Sequence, residues 1–187
     1  MFASRLPAAG LGGWLAVACA LPAWADQTNA RLDGLFQQLK MATALGSAQA
    51  IEGEIWQIWT SYGDPDIDRR MSVGILSMQR GAVQKALDLF DEVVDLAPGY
   101  AEGWNKRATV YYMMGRFSSS VIDIQRTLDL EPRHFGALSG LGQIYDALGN
   151  SAAAVKVWEK ALTIHPHMPG IQQRMEELKL ELTGKPL

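Results

Sequence analysis

The sequence predicts an all-α fold, a short stack of helical hairpins closed by further helices at both ends. Two stretches carry most of that expectation. WNKRATVYYMMGRFSSSVIDIQRTLDLEP from Trp104 and LSGLGQIYDALGNSAAAVKVWEKALTIHP from Leu138 share one apolar rhythm at an offset of 34 residues. That offset lays Tyr111 on Tyr145, Gly115 on Gly149, Ile124 on Trp158, Leu128 on Leu162 and Pro132 on Pro166. The same distance towards the N-terminus lands on Gly81, Phe90 and Pro98, a third copy in register. Within a copy, apolar residues recur at three and four positions, the period of an amphipathic helix.

Residues 1–25 read as a secretory signal peptide. They hold Arg5, an apolar run from Leu11 to Leu21 and the triplet Ala23-Trp24-Ala25 before Asp26. That run is too short to span a bilayer. The mature chain is therefore expected to begin near Asp26, outside the cytoplasm and in the periplasm, with no transmembrane segment. Cys19 is preceded by Ala16-Val17-Ala18 rather than Leu-small-small, which argues against a lipoprotein. Cleavage after Ala25 leaves no thiol for a disulfide, a metal site or a nucleophile.

Residues 26–66 carry two stripes, Leu32, Leu35, Phe36 and Leu39, then Ile51, Ile55, Ile58 and Tyr62 with Trp59 beside them. Pro65 ends this segment almost in phase, but Lys40, Thr43 and Glu52 fill slots that Gly, Tyr and Ala hold elsewhere. It is expected to be a degenerate hairpin capping the array. Asp64, Asp66 and Asp68 alternate as in a calcium loop, yet the Gly and closing Glu of that motif are missing. Helix capping and dipole complementarity account for them.

Residues 67–168 hold the three copies, 67–100, 101–134 and 135–168. In the last, Leu138, Leu141, Tyr145 and Leu148 form one stripe, and Gly149-Asn150 stops it as a C-terminal cap with positive φ. Ala154, Val155, Trp158, Ala161 and Leu162 form a second stripe, which Pro166 ends. Gly142, Ala154 and Ala161 allow close helix approach, with Trp158 filling the volume between. A hairpin this thin cannot bury its own stripe, so neighbours must stack. Residues 169–187 then read as a capping helix, with Ile171, Met175, Leu178 and Leu182 on one face, and a GKPL tail.

A 34-residue period with Leu138, Leu141-Gly142, Tyr145, Ala154, Trp158, Ala161 and Pro166 in these slots resembles the tetratricopeptide repeat (TPR) family. The second copy keeps Trp104, Ala108, Tyr111 and Pro132, with Arg107, Ser120 and Thr127 departing from Leu, Ala and Ala. The first keeps Gly74, Ala86, Phe90 and Pro98, with Arg70 and Ser77 departing. The resemblance implies a right-handed α–α superhelix whose first helices line a concave groove for a peptide or partner protein. It places Met71, Ile75 and Met78 in that groove from the first copy. Asn105, Thr109, Tyr112 and Met113 follow from the second, and Ser139, Gln143 and Asp146 from the third. The groove so read has an adaptable Met-rich patch and an Asn suited to holding a peptide backbone. The family's carboxylate clamp is incomplete here, since Lys106 fills one slot but Met71, Ile75, Gly136 and Gly140 fill others.

Other chemistry finds little footing. With 48 % hydrophobic and 20 % charged residues the chain is foldable, and its 17 basic against 20 acidic residues contain no basic run, which disfavours nucleic acid. His134, His165 and His167 belong to inter-repeat turns without a joining carboxylate cluster, so they are expected to be solvent-exposed rather than metal ligands. Ser118-Ser119-Ser120 opens a helix, where Ser is a good N-cap. Met113-Met114, Trp56, Trp59 and Tyr112 suit packing better than a cofactor site. The expected function is a non-catalytic interaction module or scaffold without cofactor or metal, resembling exported TPR adaptors of the bacterial envelope. A self-associating scaffold using its end helices is the alternative. An enzyme fits least, because no titratable pair with a shared geometry emerges.

Overall fold

The computed structural model of the chain describes residues 27–184. The expected signal segment, Cys19 and the cleavage point near Ala25 lie outside the described residues, as do residues 185–187 of the expected tail. Among the described residues there are nine helices and no strand. They are α1 (Arg31–Met41), α2 (Leu45–Trp59), α3 (Pro65–Gln79), α4 (Val83–Leu96), α5 (Ala101–Met113), α6 (Phe117–Leu130), α7 (Phe135–Ala147), α8 (Ser151–Ile164) and α9 (Pro169–Thr183). No described helix is long and apolar enough to cross a membrane.

Each predicted copy forms a hairpin, α3–α4, α5–α6 and α7–α8, and each turns through a glycine in the left-handed region. Gly81 has φ 74°, Gly115 70° and Gly149 73°. At the third turn the Gly149 N–H donates to the Asp146 carbonyl at 2.9 Å, and the Asn150 N–H to that of Tyr145 at 2.8 Å. This double closure satisfies carbonyls that the ending helix would otherwise orphan. Asp64 caps α3 by accepting from the Asp66 and Ile67 N–H groups, as the alternating aspartates predict.

The two helices of a hairpin meet through a small residue facing a large one. A Cβ on Gly74 would lie 2.6 Å from Phe90, and one on Gly142 would overlap the Trp158 indole. In the middle copy the large residue shrinks to Ile124, and its neighbour in the same buried cluster grows to Ala108. Trp158 also donates from Nε1 to the Ser139 carbonyl at 3.1 Å, so its buried N–H is not wasted. The departures in the middle copy are satisfied polar groups. Arg107 holds both oxygens of buried Asp123 at 2.7 and 2.8 Å and Asp91 at 2.9 Å, with Trp104 stacked on its guanidinium. Ser120 and Thr127 donate to the carbonyls of Ala108 and Asp123.

At the C-terminal end α9 packs on α8, and Met175 and Leu178 close over Ala154 and Trp158 while Leu182 stays exposed. The N-terminal hairpin behaves differently from an end cap. It lies along the row of inter-repeat turns, running against the direction of the array. The Tyr100 hydroxyl donates to the Trp59 carbonyl at 2.8 Å, the Trp59 ring stacks on His134 at 4.1 Å, and Glu52 meets His165 at 3.2 Å. His167 then bonds the Ala42 carbonyl at 2.8 Å. Leu32, Leu35, Phe36 and Leu39 of α1 share a core with Ala161 and Ile164 of α8. The reason is aromatic bulk: Phe36, Trp56 and Trp59 find their complement in His134, Phe135 and the gap left by Gly136, where a Cβ would lie 2.6 Å from Trp56.

Gly142→Ala is therefore expected to cost about 1–3 kcal/mol, because its methyl must displace the indole. Gly140→Ala, whose new carbon would meet Ile124 at an ordinary 3.8 Å, is expected to be neutral or slightly stabilising. Urea unfolding midpoints of the two variants compare them directly.

Candidate functional site

Because α2 runs past the N-terminal end of α7 and the α8–α9 turn, the groove along the first helices is walled on one side and becomes a cleft. Its volume is about 730 Å³. Leu45, Gln49 and Glu52 of α2 form one wall, and Tyr112 of α5 with Ser139, Gln143 and Asp146 of α7 form another. The α8–α9 turn and the start of α9 close it with His165, His167, Met168, Ile171 and Arg174. A smaller recess of about 140 Å³ runs on between α5 and α7, past Asn105, Thr109 and Gly136. Tyr112, Ser139 and Gln143 line both spaces and join them.

Six of the sequence-predicted residues thus come together: Asn105, Thr109, Tyr112, Ser139, Gln143 and Asp146. The others do not. Met71 is 0 % exposed and sits with Ile67, Phe90 and Val110 in the core of the first hairpin, where Ile75 and Met78 also pack. Tyr62, in the connection from α2, packs on Tyr100 and against that same cluster. Met113 is 48 % exposed but lines neither space. The Met-rich patch is core on one side and open surface on the other.

Asn105 needs a further correction. It is 7 % exposed, and its Nδ2 donates to Glu102 at 2.8 Å, so that donor is spent inside the protein. Glu102 is itself buried; its Oε2 accepts from His134 Nε2 at 2.9 Å, and its Oε1 forms an ion pair with Lys106 Nζ at 2.9 Å but has no hydrogen-bond partner. His134 Nδ1 accepts the Ala137 N–H at 3.1 Å, which puts the ring proton on Nε2 and makes that nitrogen the donor to Glu102. Burial alone would raise the Glu102 pKa, but the Lys106 charge and the His134 bond outweigh it and hold the carboxyl down at about 2.

The expectation of solvent-exposed turn histidines is overturned as well. His134 is 0 % exposed, His165 is buried and His167 half-buried, because the α1–α2 hairpin covers the turns that carry them. His165 Nδ1 accepts the His167 N–H, leaving Nε2 to face Glu52. Among the described residues no group of three or more His, Cys, Asp or Glu is placed to hold a metal ion.

Arg174, which sequence reasoning missed, completes the far wall. It bonds both oxygens of Asp146 at 2.8 and 3.0 Å and Glu177 at 3.0 Å, with Glu181 at 3.5 Å. Those bonds hold the Asp146 carboxyl below its ordinary range and raise the guanidinium. The Glu102 cluster was legible in part, since Asn105 and Lys106 follow it at three and four residues on one helix face. No local pattern announces Arg174 or the Glu52–His165 pair.

Comparison with known proteins agrees with the repeat fold. The tetratricopeptide repeat family model matches residues 105–169. A TPR repeat-containing protein of Rhizobium etli is 39 % identical over 154 residues, covering 82 % of this chain and 76 % of that protein. Among solved structures, the Sgt2 TPR domain from Aspergillus fumigatus superposes with a TM-score of 0.60 at 21 % identity, covering 66 % of this chain and 87 % of that one. The first TPR of Spaghetti, bound to the HSP90 peptide SRMEEVD, does so with 0.60 at 19 %, covering 63 % and 94 %. At these identities the structural likenesses establish the fold.

The depressed Glu102 pKa yields a signed prediction. A carboxyl lowered on folding stabilises above its unfolded value of about 4.5, and that contribution is lost as pH falls towards about 2. Over that window the protein should lose on the order of 3 kcal/mol more than Glu102→Gln does. Urea denaturation at stepped pH provides the measurement, and parallel curves for the two proteins would refute it.

Proposed function

The chain belongs to the tetratricopeptide repeat family, and from that premise we propose that it is a non-catalytic protein-interaction module that holds an extended segment of a partner protein in the α2–α5–α7–α9 cleft. One observation carries the reading. Tyr112, Ser139, Gln143 and Asp146, contributed by consecutive first helices, line one continuous concave space together with α2 and α9. Its volume falls in the range of pockets that bury most of a small ligand's surface. Tyr112 offers an aromatic face, while Ser139 and Gln143 offer donors and acceptors at the spacing of a helix face. The peptide bound by the Spaghetti domain supports the same mode of use. A rigid wall of packed helices binds without first paying for its own ordering.

The proposal extends to an exported adaptor of the bacterial envelope. Its support is the signal-like layout of residues 1–25; the relative from Rhizobium etli bears on the repeat family and on a bacterial setting, not on export.

Two experiments test these readings. Peptides selected from a random display library on the full chain should bind Tyr112→Ala/Gln143→Ala at least about tenfold more weakly by calorimetry, with helicity unchanged. Undiminished binding refutes the cleft. For export, the chain expressed in a Gram-negative host should be recovered from the periplasm with Asp26 as its N-terminal residue. Recovery from the cytoplasm with residues 1–25 intact refutes that part.

A further inference from the structure

The charges around the cleft decide what kind of segment it takes, granted that the cleft is the binding surface proposed above. Among the described side chains that line it, Arg174 is the Lys or Arg, and Glu52 and Asp146 are the carboxylates. Arg174 is already engaged by Asp146, Glu177 and Glu181. Three carboxylates surround one guanidinium, so Arg174 has no charge to spare, while Glu177 and Glu181 lie outside the lining and Asp146 alone of the three faces the cleft. Glu52 on the opposite wall then leaves the lining with one more carboxylate than cations. Its partners there are the Trp56 N–H at 3.1 Å and the His165 Nε2, on a ring whose Nδ1 accepts a backbone N–H. A ring that accepts at one nitrogen and donates at the other carries no charge, so His165 does not cancel Glu52.

Lys106 of α5 offers no compensation, since its ammonium lies 2.9 Å from buried Glu102 and beside the Trp56 ring. Each carboxylate oxygen has two lone-pair directions, so Asp146 retains acceptor capacity after meeting Arg174. Leu45, 47 % exposed on the cleft wall, and the Tyr112 ring supply apolar and π surface of the kind that receives an aliphatic stem and its cationic head.

We infer that the cleft takes an extended peptide segment bearing Lys or Arg, its cationic head directed to the Glu52 and Asp146 carboxylates and its stem along Leu45 and Tyr112. An acidic segment such as the SRMEEVD peptide held by the Spaghetti domain would set carboxylate against carboxylate here. The walls are partly open to solvent, so the attraction weakens as salt screens it.

Two blocked, fluorescein-labelled nonapeptides of alternating Ala and Lys, or Ala and Glu, test the inference on the full chain by anisotropy. The Lys peptide should bind at least about tenfold more tightly than the Glu peptide, and its affinity should fall steadily from 50 to 500 mM NaCl, about a threefold drop in Debye length. Glu52→Gln/Asp146→Asn should erase the preference. The wild-type salt series decides the matter if that variant proves unstable. Equal or tighter binding of the Glu peptide, lost in Tyr112→Ala/Gln143→Ala, overturns the charge inference and leaves the cleft standing. Lys-peptide binding that survives both double variants puts the site elsewhere and overturns both readings. Binding of neither peptide, or self-association of the chain through the cleft seen in sedimentation, overturns the inference.

Discussion

A two-helix hairpin has two sides and can bury only one of them alone. Every hairpin in this protein therefore presents an apolar stripe that something else must cover, and the architecture follows from how that demand is met. Within a hairpin the helices approach closely because a small residue faces a large one. Gly74 admits Phe90, Gly142 admits Trp158, and Ala108 stands by the smaller Ile124. Between hairpins the next first helix closes the stripe, ending with α9 over Ala154 and Trp158. The same spacing sets α5, α7 and α9 side by side, so the cleft is a consequence of the packing.

The middle repeat meets the demand with charge. Arg107 and Asp123 take positions that Leu141 and Val157 hold one repeat later, and Glu102, Lys106, Asn105 and His134 form a second buried polar cluster. Such groups are costly to desolvate and become tolerable when each finds its partners. Their geometry is demanding, and it ties α5 to α6 and to the α6–α7 turn. The His134 ring is both the N-cap of α7 and the platform on which Trp59 rests, so one residue joins the repeat to the hairpin that crosses it.

That crossing shapes the site. Without α2 the first helices would present an open groove; with it, the surface becomes a cleft with Glu52 and Leu45 on one wall and Asp146 and Arg174 on the other. The carboxylates of those walls come from segments almost a hundred residues apart, and only their juxtaposition produces the local excess of negative charge.

The fold was largely legible from residue order. Tyr111 and Tyr145, the turn glycines and the terminal prolines announce the hairpins, because helix periodicity, positive-φ turns and proline stops are decided by neighbours within a few positions. Tyr112, Ser139, Gln143 and Asp146 followed from the same register. Met71 and Asn105 occupy equivalent slots and yet are buried, and the three turn histidines are covered. What hides them is contact over long distances in sequence, as between His167 and Ala42, 125 residues apart. By itself, then, the sequence determined helices, turns and the repeat, since those rest on short-range backbone and periodicity effects. The tertiary structure alone decided where the first hairpin lies, and hence which face is core and which is cleft, because that depends on the fit of Trp56 and Trp59 to a surface that exists only once the repeats have stacked.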